Sequence, residues 1–249
     1  MLILLPPSET KRPGGAGAAW DAARLALPSL SAPRARVADA LVALSADPEA
    51  AARVLKLSER QRGEIAVNAQ LRSAPTMPAV DRYTGVLFDA LDAGSLPSPA
   101  RRWLGAHVLI HSAPFGPVGA LDPIPAYRLA AGASLPGVGP LRREWAEPVT
   151  AALAAAEPGF ILDMRSEAYA ALGPVPPAVP SAYVRVVSAG ADGAVRALNH
   201  FNKHAKGAFT RALALHRPRI GTRDALLRWA AGAGWALRPG APGEVELEV

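Results

Sequence analysis

Short apolar runs alternate with longer segments of helical periodicity along this chain of 249 residues. Residues 2–5 and 160–163 are runs of this kind, and their length predicts buried strands. Apolar positions recur at helical spacing through residues 20–71, and residues 141–156 predict a further helix. Strands that alternate with helices are typical of α/β proteins. The pattern therefore predicts an α/β fold of the mixed α+β kind, with a mixed sheet and flanking helices.

The second half of the chain predicts two hairpins around a long helix. Residues 183–187 and 194–197 are mostly apolar and flank a Gly turn, which favours a hairpin. Residues 199–215 predict the helix, and residues 235–249 alternate apolar and polar positions as a closing hairpin does. No linker or internal repeat separates these elements, so we expect a single domain over residues 1–249.

Residues 112–128 are rich in Gly and Pro and predict a long loop with little regular structure. A short strand is predicted where the loop ends, at residues 127–129. Long ordered loops in compact domains are often functional. Tyr127 offers a ring on which a base stacks, and Arg128 offers a guanidinium that pairs with a phosphate. The alternative is that the ring of Tyr127 packs beneath its own loop.

The composition narrows the chemistry that is open to the protein. The chain has no cysteine, which excludes disulfides, thiolate nucleophiles and iron–sulfur ligation and permits a reducing compartment. His200 and His204 have the i, i+4 spacing of metal ligands, but no carboxylate lies nearby, so we predict no metal site. No motif indicates a cofactor, and no apolar stretch has the length of a membrane span. We therefore expect a protein without a membrane partner.

The positive charge is concentrated in one stretch of the chain. The formal net charge is +6 and the isoelectric point about 10.1, which favours polyanionic partners. Residues 193–223 contain no Asp or Glu, and their cations include Lys203, Lys206 and Arg211. An acid-free basic run favours contact with a polyanion, although a solvated helix face is the alternative. On the predicted helix, an apolar stripe that begins at Phe201 lies beside these cations.

Polar side chains follow two of the predicted strands. Lys11 lies in the loop after the first strand, and Asp163, Ser166 and Glu167 lie where residues 160–163 end. Ligand groups in α/β folds lie at the carboxyl ends of strands. Lys11 suits a phosphate contact there, and Ser166, at the predicted start of a helix, suits an anion. Asp163 and Glu167 would form a general acid/base pair, with a structural role as the alternative.

Five stretches follow one another across nearly the whole chain: residues 7–11, Tyr83-Thr84-Gly85, residues 112–132, residues 166–169 and residues 203–211. In that order they resemble the YaaA peroxide-stress family. The strongest match is Leu121-Asp122-Pro123-Ile124-Pro125-Ala126-Tyr127-Arg128-Leu129. The chain departs from the family pattern at Gly119-Ala120, where members usually have Arg-Pro, so we expect a divergent member.

The resemblance implies a mixed α/β fold with a positively charged cleft, DNA binding and a cytoplasmic location. It also implies protection against peroxide through limiting iron-driven damage to DNA. A helix-hairpin-helix-like element is expected at residues 48–71, where Lys56, Arg60 and Arg62 would contact backbone phosphates.

Two functions are therefore weighed. The first is binding of DNA or another polyanion without sequence specificity. Its expected contacts are Lys11, Tyr127, Arg128, Ser166, Lys203, Lys206 and Arg211. The alternative is an enzyme that acts on a phosphorylated or nucleotide-like small molecule in the same basic cleft. Its candidate catalytic residues are Lys11, Tyr83, Asp163, Glu167 and Lys203.

Overall fold

The structure is a computed structural model that describes residues 1–187 and 195–249, with side chains in the second range described from residue 200 onward. Its strands are β1 (Leu2–Leu5), β2 (Met77–Pro78), β3 (Val108–Ser112), β4 (Gly116–Gly119), β5 (Pro123–Ile124), β6 (Ser134–Leu135), β7 (Gly139–Pro140), β8 (Ile161–Asp163), β9 (Ser181–Val187), β10 (Leu237–Pro239) and β11 (Glu244–Glu248). Its α-helices are α1 (Ser31–Leu44), α2 (Pro48–Leu55), α3 (Gly63–Ala69), α4 (Ala79–Arg82), α5 (Val86–Leu91), α6 (Ser98–His107), α7 (Leu141–Ala155), α8 (Glu167–Ala170), α9 (Val195–His216) and α10 (Arg223–Gly232).

Seven of the strands form one mixed sheet in the order β10-β11-β9-β8-β1-β3-β4. β1 lies between β8 and β3 and is parallel to both, with Leu4 opposite Asp163 and Leu5 opposite Ile110. β9 and β11 continue the parallel part beyond β8, and the antiparallel strands β10 and β4 form the two edges. The prediction of a mixed α/β fold with flanking helices is confirmed.

The order of the strands creates a crevice at the carboxyl end of β1. After β1 the chain first reaches β3 on one side of it and later reaches β8 on the other side. Connections that diverge from a central strand leave a gap at its carboxyl end, and this gap is where open α/β sheets bind ligands. The segments that follow β1 and β8 border this gap.

The long helix α9 packs against α5, α6 and β9. Gly207 makes the approach of α9 to α5 possible, because a Cβ atom there would lie 2.1 Å from the carbonyl oxygen of Leu87. Phe209 and Leu213 of the same helix are buried in the hydrophobic core. Within the described ranges, none of the helices combines the length and the apolarity needed to cross a membrane.

The loop predicted over residues 112–128 is more regular than expected, because β4 pairs with β3 and β5 pairs with β2. The strand predicted at residues 127–129 is wrong, since that stretch is irregular. The side chain of Asn68 explains the difference. Its Oδ1 accepts from the backbone N–H of Arg128 at 2.7 Å, and its Nδ2 donates to the Arg128 carbonyl at 2.9 Å. A side chain thus satisfies the backbone groups that strand pairing would use.

The closing hairpin is confirmed, because β10 and β11 pair antiparallel with Leu237 opposite Leu247. The other predicted hairpin is wrong in its second strand. Its turn falls within residues 188–194, which lie outside the described residues, and residues 195–197 open α9 instead of forming a strand. The partners of β9 come from elsewhere in the chain, because β8 pairs with Ser181–Tyr183 and β11 pairs with Tyr183–Val187.

Candidate functional site

A pocket of about 850 Å³ opens where β1, β8 and β9 meet α9. The segment after β1 lines one wall with residues 6–10, and residues 84–88 line the pocket where α5 begins. Residues 166–169 line it after β8, residues 183–187 line it along β9, and α9 contributes Asn202, Lys203 and Lys206. The pocket therefore occupies the crevice that the strand order creates beside β1.

The two lysines of α9 have different surroundings in this pocket. Lys203 is exposed at the rim, whereas Lys206 is only 5% exposed. The Nζ atom of Lys206 lies 5.7 Å from the ring centre of Tyr183. Neither lysine forms a salt bridge with a carboxylate among the described residues. Burial lowers the pKa of Lys206 to about 8, although the nearby charge of Asp163 acts in the opposite direction.

Both carboxylates that line the pocket are paired with arginines. Glu9 forms a salt bridge with Arg128. Glu167 is exposed and lies 3.3 Å from Nη1 of Arg185, whose Nε also donates to Glu244 at 2.6 Å. These pairs neutralise the acidic lining, so the lysines give the pocket its positive character.

Asp163 lies beneath the pocket in a buried ion pair. Its two oxygens accept from Nε and Nη2 of Arg165 at 2.9 and 2.7 Å. Nη1 of Arg165 donates to Nδ1 of His111 at 2.9 Å and to the carbonyl of Gly173 at 2.8 Å. Because a guanidinium only donates, Nδ1 of His111 accepts, and the imidazole is neutral with its proton on Nε2. Burial lowers the pKa of His111 well below its ordinary value, which agrees with this assignment. The geometry makes Asp163 an anchor for Arg165.

Lys11, Tyr83 and Tyr127 form a second cluster behind the wall of the pocket. A backbone bridge joins Lys11 to Tyr83, and the phenol oxygens of Tyr83 and Tyr127 are 2.8 Å apart. Nζ of Lys11 donates to the Ser8 carbonyl at 3.0 Å and lies 4.1 Å from the ring centre of Tyr127. Burial lowers the pKa of Lys11 to about 8. Tyr127 is 2% exposed, so its ring is inaccessible to a stacking base.

Two other predicted contacts lie in different environments. Ser166 is exposed in the pocket lining and precedes the short helix α8, but its hydroxyl makes no capping hydrogen bond. Arg211 lies outside the pocket lining. Its Nη1 donates to the carbonyls of Leu91 and Asp92 at 3.0 and 2.8 Å, and its Nη2 donates to Ser95 Oγ at 2.8 Å. Arg211 therefore ties α9 to the carboxyl end of α5.

The element expected at residues 48–71 consists of α2, a 3₁₀ turn at Glu59–Gln61 and α3. Lys56 and Arg60 are exposed on it. Arg62 forms salt bridges with Glu49 and Glu59, which reduces its availability to a phosphate. DNA binding by this element stays a prediction.

A group of hydroxyls in the pocket wall was not predicted. Thr84 Oγ1 donates to Thr10 Oγ1 at 2.9 Å, and Ser8 Oγ lies 3.3 Å from the same atom. Gly85 follows with a φ of 93°, a left-handed conformation that favours glycine. The polar loop after β1 and the stretch Tyr83-Thr84-Gly85 were its sequence signals. Their contact was not predictable, because the two segments are distant along the chain.

No metal centre is evident in the part of the chain that the structure describes, where no three His, Asp or Glu side chains are grouped to hold an ion.

The comparison with protein families shows to which family the chain belongs. A family model described as peroxide stress protein YaaA matches residues 1–239. The chain belongs to the YaaA peroxide-stress family.

Relatives agree with this assignment. A UPF0246 protein of Corynebacterium efficiens is 47% identical over 241 residues, which cover 95% of this chain and 94% of that protein. A UPF0246 protein of Streptomyces coelicolor is 45% identical over 219 residues, which cover 86% of this chain and 82% of that protein. The predicted family is confirmed.

Four of the five stretches that resemble the YaaA family supply residues to the lining of this pocket. They are residues 7–11, Tyr83-Thr84-Gly85, residues 166–169 and residues 203–211. The remaining stretch, residues 112–132, supplies Tyr127 to the cluster behind the wall. Stretches that are far apart in the chain therefore meet at the carboxyl edge of the sheet.

Proposed function

We propose that this member of the YaaA peroxide-stress family binds DNA in the cytoplasm without reading its sequence. Backbone phosphates would contact the mouth of the pocket, with Lys203 at the rim and Lys206 deeper inside. Bound DNA would be less accessible to the iron-driven damage that peroxide causes. The observation that carries this proposal is the lysine pair of α9, which faces an open pocket without a described carboxylate partner.

Electrostatics favours this use of the two lysines. The acidic side chains of the pocket are paired with Arg128 and Arg185, whereas Lys203 and Lys206 lack such partners among the described residues. A phosphate would supply the missing negative charge and release counterions from DNA. The net charge of +6 would assist the encounter with DNA at low salt. Arg211 and Arg62 are engaged in internal contacts and would contribute less.

Fluorescence anisotropy with a short labelled duplex tests this proposal over a series of salt concentrations. We expect affinity to fall steeply with salt, and each lysine contact that is lost should reduce the salt slope by about one unit. The Lys203→Ala/Lys206→Ala variant is compared with Lys56→Ala, which removes an exposed lysine of the α2–α3 element. Binding that is unchanged in the double variant and lost in Lys56→Ala would move the interface to that element. Absence of binding at low salt would refute the proposal.

A second candidate is an enzyme for a phosphorylated or nucleotide-like small molecule. The volume of about 850 Å³ favours it, because small-molecule pockets span roughly 300–1,000 Å³. Of its candidate catalytic residues, Asp163 and Glu167 are engaged with arginines. Lys203 lines the pocket, whereas Lys11 and Tyr83 belong to the cluster behind its wall. Calorimetric titration with mononucleotides distinguishes the candidates, since tight binding of a mononucleotide by a protein that ignores duplex DNA would favour the enzyme.

A further inference from the structure

We propose that the pocket receives a single nucleotide turned out of the DNA duplex. This inference rests on the proposed DNA binding and adds a nucleotide site to it. The pocket has the volume of a small-molecule site, yet its mouth borders the lysine surface proposed for the duplex backbone. A nucleotide that leaves its duplex would connect the two features.

The lining of the pocket suits the parts of a nucleotide. Lys206 offers a buried cation for a phosphate, and the ring of Tyr183 lies 5.7 Å from its Nζ. The hydroxyl of Ser8 stands in the wall, where a sugar or phosphate oxygen can accept its hydrogen bond. Tyr169 is half-buried in the lining and offers an aromatic surface for a base. A phosphate, a sugar and a base thus each have a chemical counterpart.

The positions of the two lysines are the second observation. Lys203 is exposed at the rim, whereas Lys206 is only 5% exposed and lies inside the pocket. The positive charge of α9 therefore extends from the surface into the pocket. A nucleotide turned out of the duplex would carry its phosphate from the rim toward Lys206.

The cost of turning a base out predicts which DNA should place a nucleotide in the pocket most readily. Turning a base out of the duplex costs stacking and pairing energy, and this cost is smallest for a mismatched base. The pocket would therefore bind a mismatched nucleotide more readily than a paired one. Direct contacts that discriminate between bases are not required for this preference.

The test uses the full chain and a duplex with 2-aminopurine at one mismatched position. Fluorescence of the 2-aminopurine reports unstacking, and anisotropy of a second label on the same duplex reports binding. We expect the 2-aminopurine signal to rise severalfold when anisotropy shows saturation, and to rise less for a fully paired duplex. Saturated binding without a rise in 2-aminopurine fluorescence overturns the nucleotide site and leaves the proposed function intact. Absence of any anisotropy change refutes the proposed function instead.

Two variants, each brought to saturation by anisotropy, locate the site. Ala168→Trp places a bulky ring in the pocket lining from an exposed position and should remove most of the 2-aminopurine signal. Ala154→Trp places the same ring at an exposed position of α7 outside the lining and should keep the signal. A wild-type signal from Ala168→Trp overturns the pocket as the destination.

Discussion

The carboxylate of Asp163 accepts from two nitrogens of Arg165, in a buried pair at the carboxyl end of β8. Asn at position 163 would leave the buried guanidinium without its charge partner. Breaking one side of a buried pair costs about 3–5 kcal/mol. We therefore expect Asp163→Asn to lower the free energy of unfolding by that amount in urea denaturation.

The control for Asp163→Asn is Asp39→Asn, which breaks the exposed pair between Asp39 and Arg72. Exposed pairs contribute about 0–1 kcal/mol, so this variant should unfold almost as the wild type does. Equal losses in the two variants would contradict the anchoring role of Asp163. Retained stability in Asp163→Asn would leave that carboxylate available for the acid/base role considered for it.

Lys206 is expected to weaken the fold that contains it. Burial removes water from the charged amine of Lys206, as its lowered pKa indicates. Such a loss of hydration costs about 1–3 kcal/mol, so Lys206→Met should raise the free energy of unfolding at pH 7 by that amount. The exposed Lys203 gives the matched variant Lys203→Met, which should change stability by less than about 0.5 kcal/mol. Both variants should weaken DNA binding. Destabilisation by Lys206→Met would show that the amine makes a favourable contact in the free protein.

The stabilising effect of Lys206→Met should depend on pH in one direction. The pKa of Lys206 is lowered by burial to about 8 from the ordinary value of 10.5. Between these values the unfolded chain binds more protons than the folded protein, so wild-type stability gains a contribution as pH rises. The difference between Lys206→Met and wild type should therefore shrink from pH 8 to pH 10.5. A constant difference across urea titrations in this window would contradict a buried titrating amine.

DNA affinity should fall as pH rises through about 8. A phosphate binds the charged form of Lys206, and burial places the pKa of this amine at about 8 in the free protein. Lys206→Arg keeps its charge throughout this range, so its affinity should depend less on pH. Anisotropy titrations between pH 7 and pH 9, values that bracket that pKa, make the comparison. A parallel decline in wild type and Lys206→Arg would assign the pH dependence to another group, and Lys11 would be the next candidate.

Gly207 should be intolerant of a side chain. A Cβ atom there would lie 2.1 Å from Leu87 O and 2.9 Å from Ala90 Cβ, so α9 would have to move away from α5. Overpacking of this kind costs about 1–3 kcal/mol. Gly232→Ala is the control, because Gly232 ends α10 with open space around its Cα. Thermal denaturation should show a clear loss for Gly207→Ala and little change, or a small gain, for Gly232→Ala.

The fold was predictable where local pattern and tertiary environment agree. Four-residue apolar runs such as Leu2–Leu5 predicted buried strands, and this run is an interior strand of the sheet. The hairpin of β10 and β11 was also predictable, since alternation and a Gly turn are local signals. The hairpin after β9 was wrong, because its local pattern contains no information about which strands pair with β9. Those partners, β8 and β11, are remote along the chain.

The candidate site was likewise predictable only in part. The sequence determined the family, the mixed α/β class and the position of polar groups after strands, as at Lys11 and Ser166. Helical periodicity predicted an apolar stripe that begins at Phe201 and a cationic face beside it. The structure contradicts this prediction at two positions, because Phe201 is exposed and Lys206 is buried.

By itself, then, the sequence determined which chemical groups the protein has and which strands are buried. Only the tertiary structure decided which of these groups meet, and in what environment. Arg128 and Arg211 are cations in the sequence, yet Glu9 and the end of α5 engage them. Lys203 and Lys206, by contrast, line an open pocket. The physical reason is that burial and charge pairing depend on neighbours from remote segments, whereas periodicity records only the local preference of one segment.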